Sequence, residues 1–339
     1  MLHEVIKKVM ARENLDRREA FAVMNAIMSG EGGEAQIAAL LVALRMKGET
    51  TEEVAGFAEA MRSKATPVRT RHLDAIDVCG TGGDGKQSFN ISTIVSFVVA
   101  GAGVPVAKHG NRSVSNNCGS ADVLAALGVN INLTAEQMGM CLDEIGIAFL
   151  FAPVLHGAMK HAAGVRKAIG VKTVFNILGP LTNPAGVKRQ LIGVFDRNVA
   201  MLLATVLREL GTTRALMVHG EDGLGEVTLH DRTYAVELKD GNLREFYLTP
   251  EDFRLRRVAV AERSDGDVAK NAEMVLRVLD GKAGVVRDTV LANAACALLV
   301  AGLADDFRKA MYLARQSIDS GAALKKLELL RSFSQSMKS

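Results

Sequence analysis

The stretch "DVCGTGGDGKQSFNIST", residues 77 to 93, places Gly80, Gly82, Gly83 and Gly85 between a short apolar run and the helix-opening pair Ser92 and Thr93. Bare backbone of this kind holds an anion on its N–H groups, and an adjacent helix N-terminus adds favourable partial charge. Asp84 stands in the middle of the loop. A carboxylate is tolerable there when a divalent cation, or water bound to one, lies between it and the anion; an Asx turn capping its own loop is the alternative. The glycines also satisfy G-x-G-x-x-G, the dinucleotide fingerprint. That fingerprint requires the helix to begin within the glycines and an acid roughly 20 residues later. Here the helix opens near Ser92, and no Asp or Glu occurs between Asp84 and Asp122.

That acid-free stretch carries Lys86, Lys108, His109 and Arg112, with hydroxyl and amide groups at Ser88, Asn90, Ser92, Thr93, Ser113, Ser115, Asn116 and Ser120. They fall on two successive strand-to-helix connections, after "AIDVCG" and after "VPVAKHG", where an open α/β sheet binds its ligand. Two adjacent loops of matching chemistry point to a ligand with more than one phosphate.

The elements that must position these loops follow from periodicity. Up to about residue 65 the patterns are helical. "DRREAFAVMNAIMSG" puts Ala20, Val23, Met24 and Ile27 on one face behind Asp16 as a cap, "EAQIAALLVALRMKGE" stops at a glycine, and "TTEEVAGFAEAMRSKA" opens on Thr51 before two acids. After Pro67, short β-rich runs alternate with Ala-rich helices. "AIDVCG", "VPVAKHG", "GIAFLFAP", "QLIGVFD", "ALMVHG" and "EVTL" are the strand candidates, which predicts a largely parallel sheet with helices on both faces. The tail "SFSQSMKS" is expected to be disordered.

With 339 residues, 48% of them hydrophobic and 23% charged, the chain can bury a large core and form two domains. A net charge of +3, with basic residues scattered, argues against a nucleic-acid partner. The four cysteines form no C-x-x-C pair and are expected to be reduced, mostly buried thiols of a cytoplasmic protein. The amphipathic N-terminus is read as a first helix and not a signal peptide. The uncharged run from Ile91 to Ala107 is too short and too interrupted by glycine and proline to span a bilayer, so no membrane partner is expected.

"GTGGDG", "FNIST", "VAKHGNRSVSNNCGSADVLAALG", "VRKAIGVKTVFNILGPLTNPA" and "VHGEDGLGEVTL" resemble, in order and spacing, the signature blocks of the anthranilate phosphoribosyltransferases, over about residues 5 to 330. The resemblance implies a small all-helical N-terminal domain, residues 1–70 with a return segment near 165–190. This sits on a larger α/β domain, residues 71–339, whose sheet is mostly parallel, usually in a homodimer. It also implies transfer of a phosphoribosyl group from phosphoribosyl pyrophosphate to anthranilate, an early step of tryptophan synthesis, with Mg2+. By similarity, the donor contacts are Gly80, Gly83, Asp84, Ser88, Asn90, Ile91, Ser92, Thr93, Lys108, His109, Gly110, Asn111, Arg112, Ser113, Val114, Ser115, Asn116 and Ser120. Magnesium would rest on Ser92 and Glu226. Arg166 matches the arginine for the anthranilate carboxylate, with Asn111 and Gly80 as further acceptor contacts. No side chain is assigned as a catalytic acid or base.

Two positions leave the family pattern. Gly157 replaces a proline between His156 and Met159, which implies a looser acceptor loop. Gly225 replaces an aspartate before Glu226, so a second magnesium would lose a carboxylate, with Glu221 and Asp222 close by in sequence. Two other readings of the fold are a pyrimidine nucleoside phosphorylase and a non-catalytic nucleic-acid-binding paralogue. The first group lacks "KHGNRSVS"; the second should have degraded phosphate loops and a basic stripe.

Overall fold

The computed structural model describes residues 1–82, 89–112, 118–259 and 267–337. The chain opens with α1 (Leu2–Met10), α2 (Arg17–Met28), α3 (Glu34–Lys47) and α4 (Thr51–Lys64). Asp16 and Glu19 close a reciprocal capping box at the start of α2, with Glu19 N donating to Asp16 Oδ1 at 2.8 Å and Asp16 N donating to Glu19 Oε2 at 2.9 Å. The predicted apolar face of α2 is buried. α4 opens on Thr51 as expected, capped by Thr50, whose N–H donates to the Glu53 carboxylate at 2.8 Å. Gly48 ends α3 with φ +90, a conformation that favours glycine.

Next come β1 (Ile76–Gly80), α5 (Ile91–Gly101), β2 (Val106–Gly110), α6 (Ser120–Ala126), α7 (Ala135–Ile145) and β3 (Ile147–Phe151). They are followed by α8 (Ala152–Leu155), α9 (Lys160–Ile169), α10 (Phe175–Leu178), β4 (Arg189–Gly193), α11 (Arg197–Glu209), β5 (Arg214–Gly220), β6 (Thr233–Lys239) and β7 (Asn242–Leu248). Four helices complete the described chain: α12 (Val268–Leu279), α13 (Val285–Ala301), α14 (Phe307–Asp319) and α15 (Ala322–Ser336). The sheet order is β3-β2-β1-β4-β5-β6-β7, parallel from β3 through β5 and antiparallel beyond. The chain winds outward through β2 and β3 on one side of β1 and through β4 and β5 on the other. The crevice that binds ligands in such sheets therefore lies beyond the carboxyl ends of β1 and β4.

Alternation along the strands divides the interior. Ile76, Val78, Leu191, Leu216 and Val218 face a core completed by α5, α13, α14 and α15. Cys79, Ile192, Met217 and Val236 face a second core, shared with α11, the four N-terminal helices and the residues around α9 and α10. The molecule is thus a helical N-terminal domain on one face of a larger α/β domain. Among the described residues no helix is long and apolar enough to cross a membrane.

Three expectations are corrected. "EVTL" is not a strand: Val227 N donates to Asn293 Oδ1 at 2.9 Å and Val227 O accepts from Asn293 Nδ2 at 3.0 Å, so a side chain of α13 takes the place of a strand neighbour. The hairpin β6–β7 was not foreseen; its turn, Asp240-Gly241, has φ of 50 and 83. The tail is helical to Ser336, because Leu327, Leu330 and Ser334 are buried and Ser334 Oγ accepts from Asn130 N at 3.0 Å.

Candidate active site at the carboxyl edge of the sheet

Gly80 ends β1 beside Gly193 of β4, and Thr81 N donates to Gly193 O at 2.9 Å. A Cβ on Gly193 would fall 1.8 Å from Gly225 O, and one on Gly80 would fall 3.2 Å from Gly193 O. Three chain segments meet here with no room for a side chain at Gly193 and little at Gly80, which leaves backbone as the floor of the crevice. Gly82 turns the chain away with φ +63. Gly83, Asp84 and Ser88 lie outside the described residues, and with them the question raised by Asp84. The chain returns at Asn90, which precedes the first turn of α5, where Ile91, Ser92 and Thr93 follow. The Thr93 hydroxyl is buried and has no hydrogen-bond partner among the described residues.

The next connection is built on β2, whose successive residues address opposite faces of the sheet. Lys108 turns toward α5, donating from Nζ to Val78 O at 2.7 Å and to Ser92 Oγ at 3.2 Å, and is 4% exposed. Burial depresses its ammonium below the ordinary lysine range, while the nearby Asp77, Cys79 and Glu226 pull it back up. Glu226, on a loop more than a hundred residues away in sequence, is thus near enough for its charge to act on Lys108.

His109 turns to the other face. Its ring is buried, with Nδ1 3.3 Å from Gly179 O and the ring centroid 5.1 Å from that of His156. A carbonyl only accepts, so Nδ1 carries the hydrogen and Nε2 is bare. Burial, with the neighbouring His156 adding to it, lowers His109 to about 3; burial lowers His156 to about 4. Both rings are neutral near pH 7. Beneath them Asp77, wholly buried, receives His109 N at 3.0 Å and Asn183 Nδ2 at 2.9 Å. Burial raises its carboxyl above the usual range, opposed by the Asn183 bond and the Lys108 charge. The same Asn183 amide donates to Ala107 O at 2.9 Å, clamping the 179–183 segment to β1 and β2.

Gly110 packs so closely that a Cβ would lie 2.5 Å from Ser120 Oγ and 2.6 Å from Phe149 Cε2. Ser120 Oγ donates to Asn111 O at 3.3 Å, which fixes the exit of the second connection. Arg112 pairs with Asp122 at 2.6 Å and lies over the Phe151 ring. Ser113, Val114, Ser115 and Asn116 are outside the described residues.

Arg166 lies on α9, on the helical side of the molecule, with its guanidinium 5.1 Å from the centre of the Phe175 ring. Burial lowers its pKa, and among the described residues it has no hydrogen bond or ion pair from its side chain. A desolvated guanidinium without a carboxylate is poised to take one from a ligand. Gly157 has open space where a side chain would be. Beside it, His156, Ala158 and Met159 line a small cavity with Met28, Met61 and Lys64.

No group of three His, Cys, Asp or Glu side chains capable of holding a metal occurs among the described residues. One hydroxyl, Ser92, and one carboxylate, Glu226, fit a magnesium ion that keeps waters and takes its remaining ligands from substrate phosphates. Gly225 has no left-handed φ, and a Cβ there would meet nothing closer than Val194 O at 3.4 Å. Sequence reasoning missed Asp77, Asn183 and Asn271. An acid inside the apolar strand "AIDVCG" was the available signal for the first; nothing local marked the others.

Residues 72–324 match the glycosyl transferase family a/b domain and residues 3–65 the helical bundle domain of that family. Fold and site thus define a glycosyl transferase. The anthranilate phosphoribosyltransferase of Desulforamulus reducens is 52% identical over 337 residues, covering 99% of this chain and 98% of that one. The crystal structure of the Thermus thermophilus anthranilate phosphoribosyltransferase matches with a TM-score of 0.92 at 42% identity, over 98% of this chain and 99% of that one. The Saccharomyces cerevisiae enzyme in complex with PRPP and Mg matches with a TM-score of 0.91 at 26% identity, over 99% and 98% of the two chains. The same yeast enzyme has been solved with 4-fluoroanthranilate. This chain belongs to the anthranilate phosphoribosyltransferase family.

Proposed function

We propose that this protein transfers the phosphoribosyl group of 5-phosphoribosyl 1-pyrophosphate to anthranilate, releasing pyrophosphate, in tryptophan biosynthesis, and that it uses Mg2+. The observation that carries this reading is the pairing of two unlike half-sites. A glycine-floored edge with Lys108, Ser92 and the α5 N-terminus suits a polyanion, and a half-buried guanidinium at Arg166, stacked on Phe175 and without a carboxylate partner among the described residues, suits an aromatic carboxylate.

Displacement at the ribose C1 passes through an oxocarbenium-like centre, so the chain must hold both ends of the donor, stabilise the leaving group and exclude water. Gly80 and the turn from Asn90 to Thr93 offer backbone and hydroxyl groups to the donor. Lys108 supplies positive charge from beneath Ser92. Asn111 and Arg112 open the second connection after the closely packed Gly110, and Ser120 closes it. Ser92 and Glu226 would hold magnesium, which supplies charge neutralisation for the departing pyrophosphate. Arg166 would orient the anthranilate carboxylate. The neutral His109 and His156 hold the 179–183 segment in place. An aromatic amine needs no strong general base, and none is assigned.

A cytoplasmic homodimer, with residues 1–70 and a return segment near 165–190 moving against the remainder, is the form in which we propose it works. The decisive assay follows loss of anthranilate fluorescence with phosphoribosyl pyrophosphate and magnesium, beside a nucleoside phosphorolysis assay. Activity only in the first is expected; turnover of a pyrimidine nucleoside with phosphate alone would overturn the reading.

A further inference from the structure

We infer that Asn271, on the first turn of α12, is a positioning residue for donor binding that acts through Asn90 and ties the two donor connections together. This rests on the proposed use of phosphoribosyl pyrophosphate. Asn271 is 1% exposed. Its Oδ1 accepts from Asn90 N at 3.3 Å and from Asn90 Nδ2 at 3.3 Å, while its Nδ2 donates to Asp267 O at 2.9 Å. Asn90 Nδ2 also donates to Cys118 O at 3.1 Å.

Backbone groups settle both amide orientations. Asn90 N can only donate, so the atom of Asn271 facing it is oxygen; Asp267 O can only accept, so the other atom is nitrogen. Cys118 O likewise requires the nitrogen of Asn90. Both hydrogens of the Asn90 amide are then committed inward, and its Oδ1 is the side-chain group left over for a ligand. An oxygen in that role cannot bind a phosphate oxygen. It can accept from a ribose hydroxyl or from water on a cation.

The three segments so joined are the start of α5, the exit of the second connection at Cys118 and the start of α12. Without Asn271, the Asn90 side chain keeps, among the described residues, only the Cys118 contact, and its amide can rotate, presenting N–H or oxygen to the donor without preference. The contribution of Asn271 to donor affinity therefore passes through Asn90.

The test is a double-mutant cycle on the full-length protein, with phosphoribosyl pyrophosphate binding followed calorimetrically with magnesium present. Asn271→Ala should weaken donor binding by about tenfold and leave KM for anthranilate within about twofold. In the Asn90→Ala background the same substitution should change donor affinity by less than about twofold. A purely structural role would lower the melting temperature and leave donor affinity per folded molecule unchanged. Additive losses in the two backgrounds, or equal effects on both substrates, would overturn the inference. If Asn271→Ala does not fold, Asn271→Ser enters the same cycle. Failure of the parent protein to bind the donor at all would count against the proposed function instead.

Discussion

The donor and acceptor sides of this crevice are built by opposite means. On the donor side the parts are short and nearly continuous in sequence: a strand end, a glycine turn and a helix start, repeated at β1–α5 and β2–α6. On the proposed acceptor side, His156, Arg166 and Asn183 come from separate elements, and the segment that carries Asn183 is tied to α4 by Arg62 Nε, which donates to Leu181 O at 2.6 Å. A polyanion is bound by backbone N–H groups, which any short loop can supply. An aromatic acid is bound by shape and one placed cation, which only packing supplies.

The largest effect should come from Glu226, a charged group the donor side takes from far along the chain. Glu226→Ala should lower kcat/KM at least about a hundredfold, measured by anthranilate fluorescence at saturating magnesium; a minor loss would remove Glu226 from the donor side. Lys108→Met should raise the donor Kd by about tenfold to a hundredfold with the anthranilate KM unchanged. Arg166→Ala should do the reverse, raising the anthranilate KM about tenfold or more and sparing the donor. If both variants affected the same substrate, the division into two half-sites would be broken.

Acid should discriminate the sides too. His109 and His156 sit at about 3 and about 4 when folded, against an ordinary value of 6.5. Between those limits the unfolded chain binds more protons than the folded one, so stability is full above 6.5 and falls as pH drops below it. Thermal melts from about pH 7 down to pH 5 should show this slope, and His156→Gln should flatten it. An unchanged slope would mean that the acceptor-side rings are protonated at no cost.

The smallest effect belongs to Gly225→Asp. With no left-handed φ to oppose it and space for a Cβ, the variant should fold normally and shift the magnesium activation curve to lower concentration by about a few fold. Superimposable curves would mean that Glu221 or Asp222 already serves, or that a second ion has no part.

The donor side was legible because its chemistry is written in glycine, hydroxyl and lysine at fixed spacing, and five parallel strands each stand out as an apolar run. The acceptor side showed in sequence only as a resemblance. Asp77 owes its place to burial beneath β2, Asn183 and Asn271 to contacts across 106 and 181 residues. The edge hairpin escaped because β7 is largely exposed and Arg244 and Glu245 interrupt its apolar residues, although Asp240-Gly241 marked the turn. "EVTL" had the opposite fault: β-branched residues without a strand beside them.

The helical domain takes its core from places far along the chain. Leu40, Phe57 and Met24 share one cluster with Phe175, Leu178, Leu203 and Met217. During synthesis α1 to α4 leave the ribosome long before α9, α10 and α11 exist; they can pack on one another, but the part of their apolar surface that closes against those later helices stays bare. That part must wait for more than a hundred further residues to arrive. This unit is thus the first translated and among the last completed, and in that interval it is a natural client for a chaperone.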